Sequence, residues 1–226
     1  MRLFRFVCVC GALLLFTVPC YASLLTFSSR AAFNAAAPGL PVETFETGQV
    51  APGSIASCNG PVSSATGNTC FPVGGLLPGA IYGASPGPSL IVFGAAIPGL
   101  GNASKVLGPN LFLDSLNINF TNATAVGFDV FPGPVAGDVQ ITVFNLSNVL
   151  LGTFDVTAGL GPNFFGVTSN SDLIGRVNIA SQANPPGELL DNVAFGIPNT
   201  TVPEPSSLAL MVGGLAALVR SKRKLS

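Results

Sequence analysis

Residues 116–120 read Leu-Asn-Ile-Asn-Phe, residues 126–130 read Val-Gly-Phe-Asp-Val, and residues 139–143 read Val-Gln-Ile-Thr-Val. In each run the apolar side chains occupy every second position: Leu116, Ile118 and Phe120; Val126, Phe128 and Val130; Val139, Ile141 and Val143. A repeat of two is that of an extended chain, whose successive side chains point to opposite faces. One face of each run is thus apolar, and the other carries Asn, Gly, Asp, Gln or Thr. That pattern belongs to an antiparallel sheet with one face buried and one wet. Val177 with Ile179, and Val193 with Phe195, repeat it further along. Gly, Pro and Asn punctuate the runs at the spacing of short strands. The predicted fold class is all-β, an antiparallel β-sandwich of jelly-roll-like form.

Upstream of these runs the pattern changes. Ser28 or Ser29 can cap one short N-terminal helix, which the alanines from Ala31 to Ala37 carry and Pro38-Gly39 stops. Residues 49–108 are crowded with Gly, Pro, Ser and Ala. Only Ser89 to Phe93 reads there as a strand, so long loops are expected.

Both ends of the chain read as targeting segments. Arg2 and Arg5 precede an apolar run from Phe6 to Val18, and Cys20-Tyr21-Ala22 offers small residues at the cleavage positions. A signal peptide is expected over residues 1–22, its apolar part helical. At the other end stand Val202-Pro203-Glu204-Pro205, an apolar run from Leu208 to Val219, and Arg220, Lys222, Arg223 and Lys224. With Ser206 and Ser207 the run forms a hydrophobic helix over 206–219. At about 1.5 Å per residue it falls short of the roughly 30 Å hydrocarbon core. It suits a transient stay in a membrane, with the basic cluster stopping on the cytoplasmic side. An ordinary single-pass anchor is the alternative.

This tail resembles the PEP-CTERM sorting signal of bacterial exopolysaccharide producers, a motif also labelled ice-binding protein C-terminal domain. The resemblance implies recognition by an exosortase, a membrane cysteine protease, and cleavage near Pro203-Glu204-Pro205. It implies no activity for the rest of the chain. Residues 23–200 are expected to form one β-sandwich ectodomain, followed by the sorting tail at 201–226. Residues 120–130, 189–196 and 27–33 are similar to parts of β-sandwich ectodomains that often precede such tails.

Between the two tails the chain carries three basic residues, Arg30, Lys105 and Arg176, against nine acidic ones. That balance disfavours nucleic acid and anionic membranes as partners and is compatible with cations. The chain has no His, which removes the Ser-His-Asp triad, the Cys-His pair and the imidazole metal site. Of the five cysteines only Cys58 and Cys70 lie outside the signal segment. An even pair in an exported protein favours a disulfide, and zinc would lack further ligands. Trp is absent, so a strong sugar-stacking cleft is not expected. Asn119, Asn122 and Asn145 read as turn or strand-edge residues.

One carboxylate stands out. Asp191 shares parity with Val193 and Phe195 and is expected at the buried side of a strand or its rim. A buried carboxylate requires a partner. Glu46 with Asp191 and backbone carbonyls would make an oxygen site for a structural calcium ion. The Phe45-Glu46-Thr47-Gly48 and Asp191-Asn192-Val193 segments loosely resemble the calcium site of carbohydrate-binding jelly rolls. Glu43 is the rival ligand, and capping of a turn by Asp191 is the alternative role. The function expected is that of an exported cell-surface or matrix protein, non-catalytic and associated with exopolysaccharide. Its expected partners are the exosortase, the membrane transiently, and extracellular polysaccharide. The competing class is a secreted carboxylate-dependent glycan hydrolase or lyase.

Overall fold

The computed structural model describes residues 24–132, 135–182 and 187–199; the expected signal segment and sorting tail lie outside them. The elements run β1 (Leu24–Phe27), α1 (Arg30–Ala36), β2 (Val42–Glu43), β3 (Ile55–Asn59), β4 (Val62–Ser63), β5 (Ala80–Ser85), β6 (Ser89–Phe93) and β7 (Val106–Pro109). They continue with β8 (Ser115–Phe120), β9 (Ala125–Phe131), β10 (Gly137–Asn145), β11 (Leu150–Ala158), β12 (Asn163–Ser169), β13 (Ile174–Ser181) and β14 (Leu189–Gly196).

The strands form two sheets, and every pairing among them is antiparallel. The eight-stranded sheet has the order β1-β12-β9-β14-β7-β6-β3, with β2 also pairing with β14. The six-stranded sheet has the order β11-β10-β13-β8-β5-β4. The inner faces meet in one core. Leu116, Ile118, Phe120, Val126, Phe128, Val130, Val139, Ile141 and Val143 all belong to it, so the alternation read in the sequence is the inward-facing set. Burial of each such side chain is worth about 1.5–3 kcal/mol relative to exposure. The expected antiparallel β-sandwich is the observed architecture.

The helix is shorter than its sequence signal but sits as expected. Ser29 caps it, accepting a hydrogen bond from the Ala32 N–H at 3.3 Å. Its single buried residue, Phe33, rests on the outer face of the eight-stranded sheet. Gly127 and Gly166, paired across β9 and β12, make room for the ring. A Cβ on either would stand 2.9 or 2.7 Å from Phe33 ring atoms.

Within residues 49–108 the expected strand Ser89–Phe93 is β6, but the long loops expected around it also supply β3, β4, β5 and the start of β7. The cause is tertiary. In β5, Ala-Ile-Tyr-Gly-Ala-Ser has little intrinsic strand preference, yet Tyr82 is held between Val62 of β4 and Ile118 of β8. Pairing on both sides overrides a weak local preference. Cys58 and Cys70 form a disulfide with a Cα separation of 5.7 Å, and both are buried in the main core.

Candidate functional site

The outer face of the six-stranded sheet is built from the polar positions of the same alternating runs. Cross-strand register lines them up in rows. Thr153, Thr142, Asn178, Asn117 and Gly83 form one row across β11, β10, β13, β8 and β5. Phe144, Arg176, Asn119 and Ile81 form the next, across β10, β13, β8 and β5. At about 4.8 Å per strand, the five-strand row spans roughly 19 Å.

The middle of this face is a connected hydrogen-bond network. The Asn178 amide donates to Ser115 Oγ at 2.7 Å and to Asn117 Oδ1 at 3.0 Å. Arg176 Nη1 donates to the same Asn117 Oδ1 at 3.1 Å. Its Nε and Nη2 donate to Asn148 Oδ1 at 3.1 and 2.7 Å. The guanidinium carbon lies 3.8 Å from the centroid of the Phe144 ring. Beside the network runs a groove of about 330 Å³ lined by Asn117, Asn119 and Arg176 together with Pro61, Pro86 and Pro88. Among the described residues no carboxylate lines it. The floor therefore offers amide donors and acceptors in fixed orientations, and the wall offers flat apolar rings.

A second, wider cleft of about 650 Å³ is lined by the edge strands β1 and β11 and by β12, the neighbour of β1, with Thr153, Asp155, Phe154 and Phe164 among its walls. Phe164 there is already covered by the Arg30 guanidinium at 4.6 Å. Thr153 begins the five-strand row that ends near the proline groove.

The predicted calcium ligands lie elsewhere, on the outer face of the eight-stranded sheet. Asp191 is 1% exposed, yet it does not share a face with Val193 and Phe195. The β9–β14 register shifts between Asp191 and Ala194, and Asn192 has a positive φ of 52°. This bulge resets the alternation. Val193 and Phe195 enter the core, whereas Asp191 pairs with Asp129 on the outer side and is covered by the segment before β7. Its Oδ2 accepts a hydrogen bond from Ser104 Oγ, and its Oδ1 one from the Asn192 N–H at 2.6 Å. Burial pushes its carboxyl up to about 6; Ser104 and the Asn192 N–H oppose this, and the charges of Asp129 and Glu46 add to it.

Glu46 is exposed, and its charge reaches Asp191. It accepts the Lys105 N–H at 2.8 Å, and its other oxygen stands 4.0 Å from Lys105 Nζ. Asp129 forms an ion pair with Arg30 at 3.0 Å. Glu43, the rival ligand, points the other way. It is buried and accepts the Phe45 and Leu77 N–H groups at 2.8 and 2.6 Å. Among the described residues no group of three or more His, Cys, Asp or Glu side chains is placed to hold a metal ion. The sorting residues Val202 to Pro205 and the basic residues Arg220 to Lys224 lie outside the described residues.

The sequence singles out neither Asn117, Asn178 nor Phe144; Arg176 is read there only as a charge, and Asn119, read as a turn or strand-edge residue, lies in the interior strand β8. The signal was present, since they are the wet-face positions of strands whose dry face was read. What the alternation did not show is which strands lie side by side.

Comparison with known proteins adds one firm point. Residues 201–224 match the family model described as the PEP-CTERM protein-sorting motif. The chain thus carries the mark of an exported protein handled at the membrane by an exosortase. No curated protein matches. Among solved structures, a variant of a family 29 carbohydrate-binding module is 14% identical, covering 66% of this chain and 99% of that one at a TM-score of 0.32. Another family 29 module is 14% identical over 63% of this chain and 87% of that one, at a TM-score of 0.31. The enzymatically active domain of bacteriophage CBA120 tailspike protein 4 is 11% identical over 66% of this chain and 21% of that one, at 0.29. Overlaps this loose carry no functional argument. Among the described residues no helix is long and apolar enough to cross a membrane.

Proposed function

We propose that this is a non-catalytic surface or matrix protein that binds extracellular polysaccharide through the outer face of its six-stranded sheet. The observation that carries the reading is the Asn178–Asn117–Arg176 network beside the proline-walled groove. Sugar hydroxyls present paired donors and acceptors, which side-chain amides and a forked guanidinium can meet in pairs. Sugar C–H faces need apolar contacts, which Pro61, Pro86 and Pro88 supply. The row from Thr153 to Gly83 is long enough to take several sugar units. A carboxylate-dependent hydrolase or lyase needs two acids flanking the scissile bond, and the groove is lined by none. Delivery to the cell surface rests on the sorting tail, with the exosortase as processing partner. A structural calcium ion shared by Glu46 and Asp191 belongs to the same reading, since the two charges act on each other.

The test is co-sedimentation or affinity electrophoresis of the exported protein with the exopolysaccharide of its own producer. The wild type should bind. An Asn117→Ala, Arg176→Ala double variant, melting like the wild type, should bind at least about tenfold more weakly, a difference of about 1.4 kcal/mol. Equal binding by the variant would move the site off this face. Absence of binding would end the reading, and shortening of the polymer on incubation would establish the hydrolase or lyase.

A further inference from the structure

The antiparallel β8–β13 register, with Leu116 opposite Ile179, carries Asp114 on the β7–β8 connection toward Ser181, whose N–H bonds Glu188 on the β13–β14 connection. Glu188 and Asp114 are 0% and 6% exposed. Asp114 Oδ2 accepts the Gly87 N–H at 3.0 Å, and Glu188 Oε2 accepts the Ser181 N–H at 3.3 Å. Glu188 Oε1 is buried and has no hydrogen-bond partner. A buried carboxylate oxygen left without a donor is strongly unfavourable, because the interior cannot replace its hydration.

No basic side chain is at hand to neutralise the pair. Between the two targeting segments the chain has only Arg30, Lys105 and Arg176. Arg30 is engaged with Asp129, Lys105 with Glu46, and Arg176 with the amides and Phe144 of the other sheet face. The unpartnered Glu188 oxygen, with no basic side chain beside it, is stabilised by a proton or by a metal cation.

We propose that Glu188 and Asp114 hold a divalent cation of the hard, oxygen-seeking class, calcium in an exported protein. The donors are oxygen only, as calcium prefers. Two carboxylates leave most of a six- to eight-oxygen shell to main-chain carbonyls and water. The affinity should therefore resemble that of extracellular modules, about 10⁻⁴–10⁻³ M. The ion would tie the Asp114 segment, and through Gly87 the Pro86–Pro88 turn, to the start of β14. This site is separate from Glu46 and Asp191, and it does not depend on what the sheet face binds.

The titration of Glu188 agrees with this placement. Burial, and then the charge of Asp114, push its carboxyl up to about 8 against the pull of the Ser181 N–H.

The experiment is equilibrium dialysis of the purified exported protein with calcium alone, together with thermal melts in millimolar calcium and in chelator, on either side of pH 8. The expected result is bound calcium and a melting temperature several degrees higher in calcium. Glu188→Gln and Asp114→Asn should each diminish the shift by the same amount, while Asp191→Asn retains a calcium shift that Glu188→Gln then removes. If the glutamine variant does not fold, dialysis of the wild type and the Asp114→Asn melt still decide. No bound calcium at either pH overturns the proposal and leaves Glu188 as a protonated carboxyl. A calcium shift undiminished in Glu188→Gln or Asp114→Asn overturns it as well.

Discussion

The Arg176 guanidinium carbon lies over the Phe144 ring, 3.8 Å from its centroid, and the group donates hydrogen bonds to Asn117 and Asn148. Three contacts thus fix the plane of one side chain on an open sheet face. Stacking of this kind at a partly exposed site is worth about 0.5–1 kcal/mol. Arg176→Ala should therefore lower stability by about 1 kcal/mol or less while reducing polysaccharide binding about tenfold. Arg176→Lys should restore little of the binding, because an ammonium cannot replace the planar fork. Denaturant melts beside binding isotherms check both. Full binding by the lysine variant would show that Arg176 contributes charge alone.

The alternation of Leu116, Ile118 and Phe120 with Asn117 and Asn119 was enough to assign both faces of β8. The same held for β9 and β10, and so the sandwich was legible. Strands such as β3 and β5 were not, because their Ala, Ser and Gly residues become extended only between paired neighbours. The candidate site failed to emerge for a related reason. Asn117 and Asn178 are 61 residues apart, and only the β8–β13 register makes them neighbours. Asp191 shows a third limit: a single bulged residue, Asn192, reverses the parity on which its placement rested.

Cys58 and Cys70 close a loop with a sequence separation of 12 and are buried in the core. In the chain-entropy model such a crosslink stabilises by roughly 3 kcal/mol. Replacing both by serine should lower stability by about that amount and add two hydroxyls to an apolar interior. Intact mass should show two hydrogens gained by the native protein on reduction. Ready alkylation of both thiols in protein isolated without reductant would contradict the bond.

Gly127 and Gly166 are needed for space under Phe33. Gly166→Ala would place a methyl 2.7 Å from the Phe33 ring and 3.0 Å from that of Phe164. The ring must lift and carry α1 with it, at about 1–3 kcal/mol. In a Phe33→Ala background the same glycine substitution should cost less, since the Phe33 clash then disappears and only the Phe164 approach remains. Strictly additive destabilisation in the double variant would show that the contact is not responsible.

The sorting tail can be tested apart from the ectodomain. Residues 200–226 fused to an inert exported reporter should be cut near Pro203-Glu204-Pro205 in a host that carries an exosortase. A reporter released with Arg220 to Lys224 still attached would contradict processing. Retention in the membrane at full length would favour the single-pass anchor.

Asp191 sets a limb in the pH dependence of stability. Its folded carboxyl titrates at about 6 against an ordinary 3.8. Between these values the folded state holds a proton that the unfolded chain has released. Stability therefore falls as pH rises from about 3.8 to about 6, and is flat in this group above that. The loss is on the order of 2–3 kcal/mol. Asp191→Asn should remove this limb, so that the variant is relatively more stable near neutral pH. A calcium ion shared with Glu46 reverses that ranking, because the ion stabilises only the ionised wild-type pair. The measurement is urea unfolding from pH 4 to 8, with and without millimolar calcium, in a Glu188→Gln background that removes the second candidate site. A calcium-dependent gain in that background, lost with Asp191→Asn, supports the shared ion. Superimposable curves with and without calcium leave Ser104 and the Asn192 N–H as the partners that hold this carboxylate.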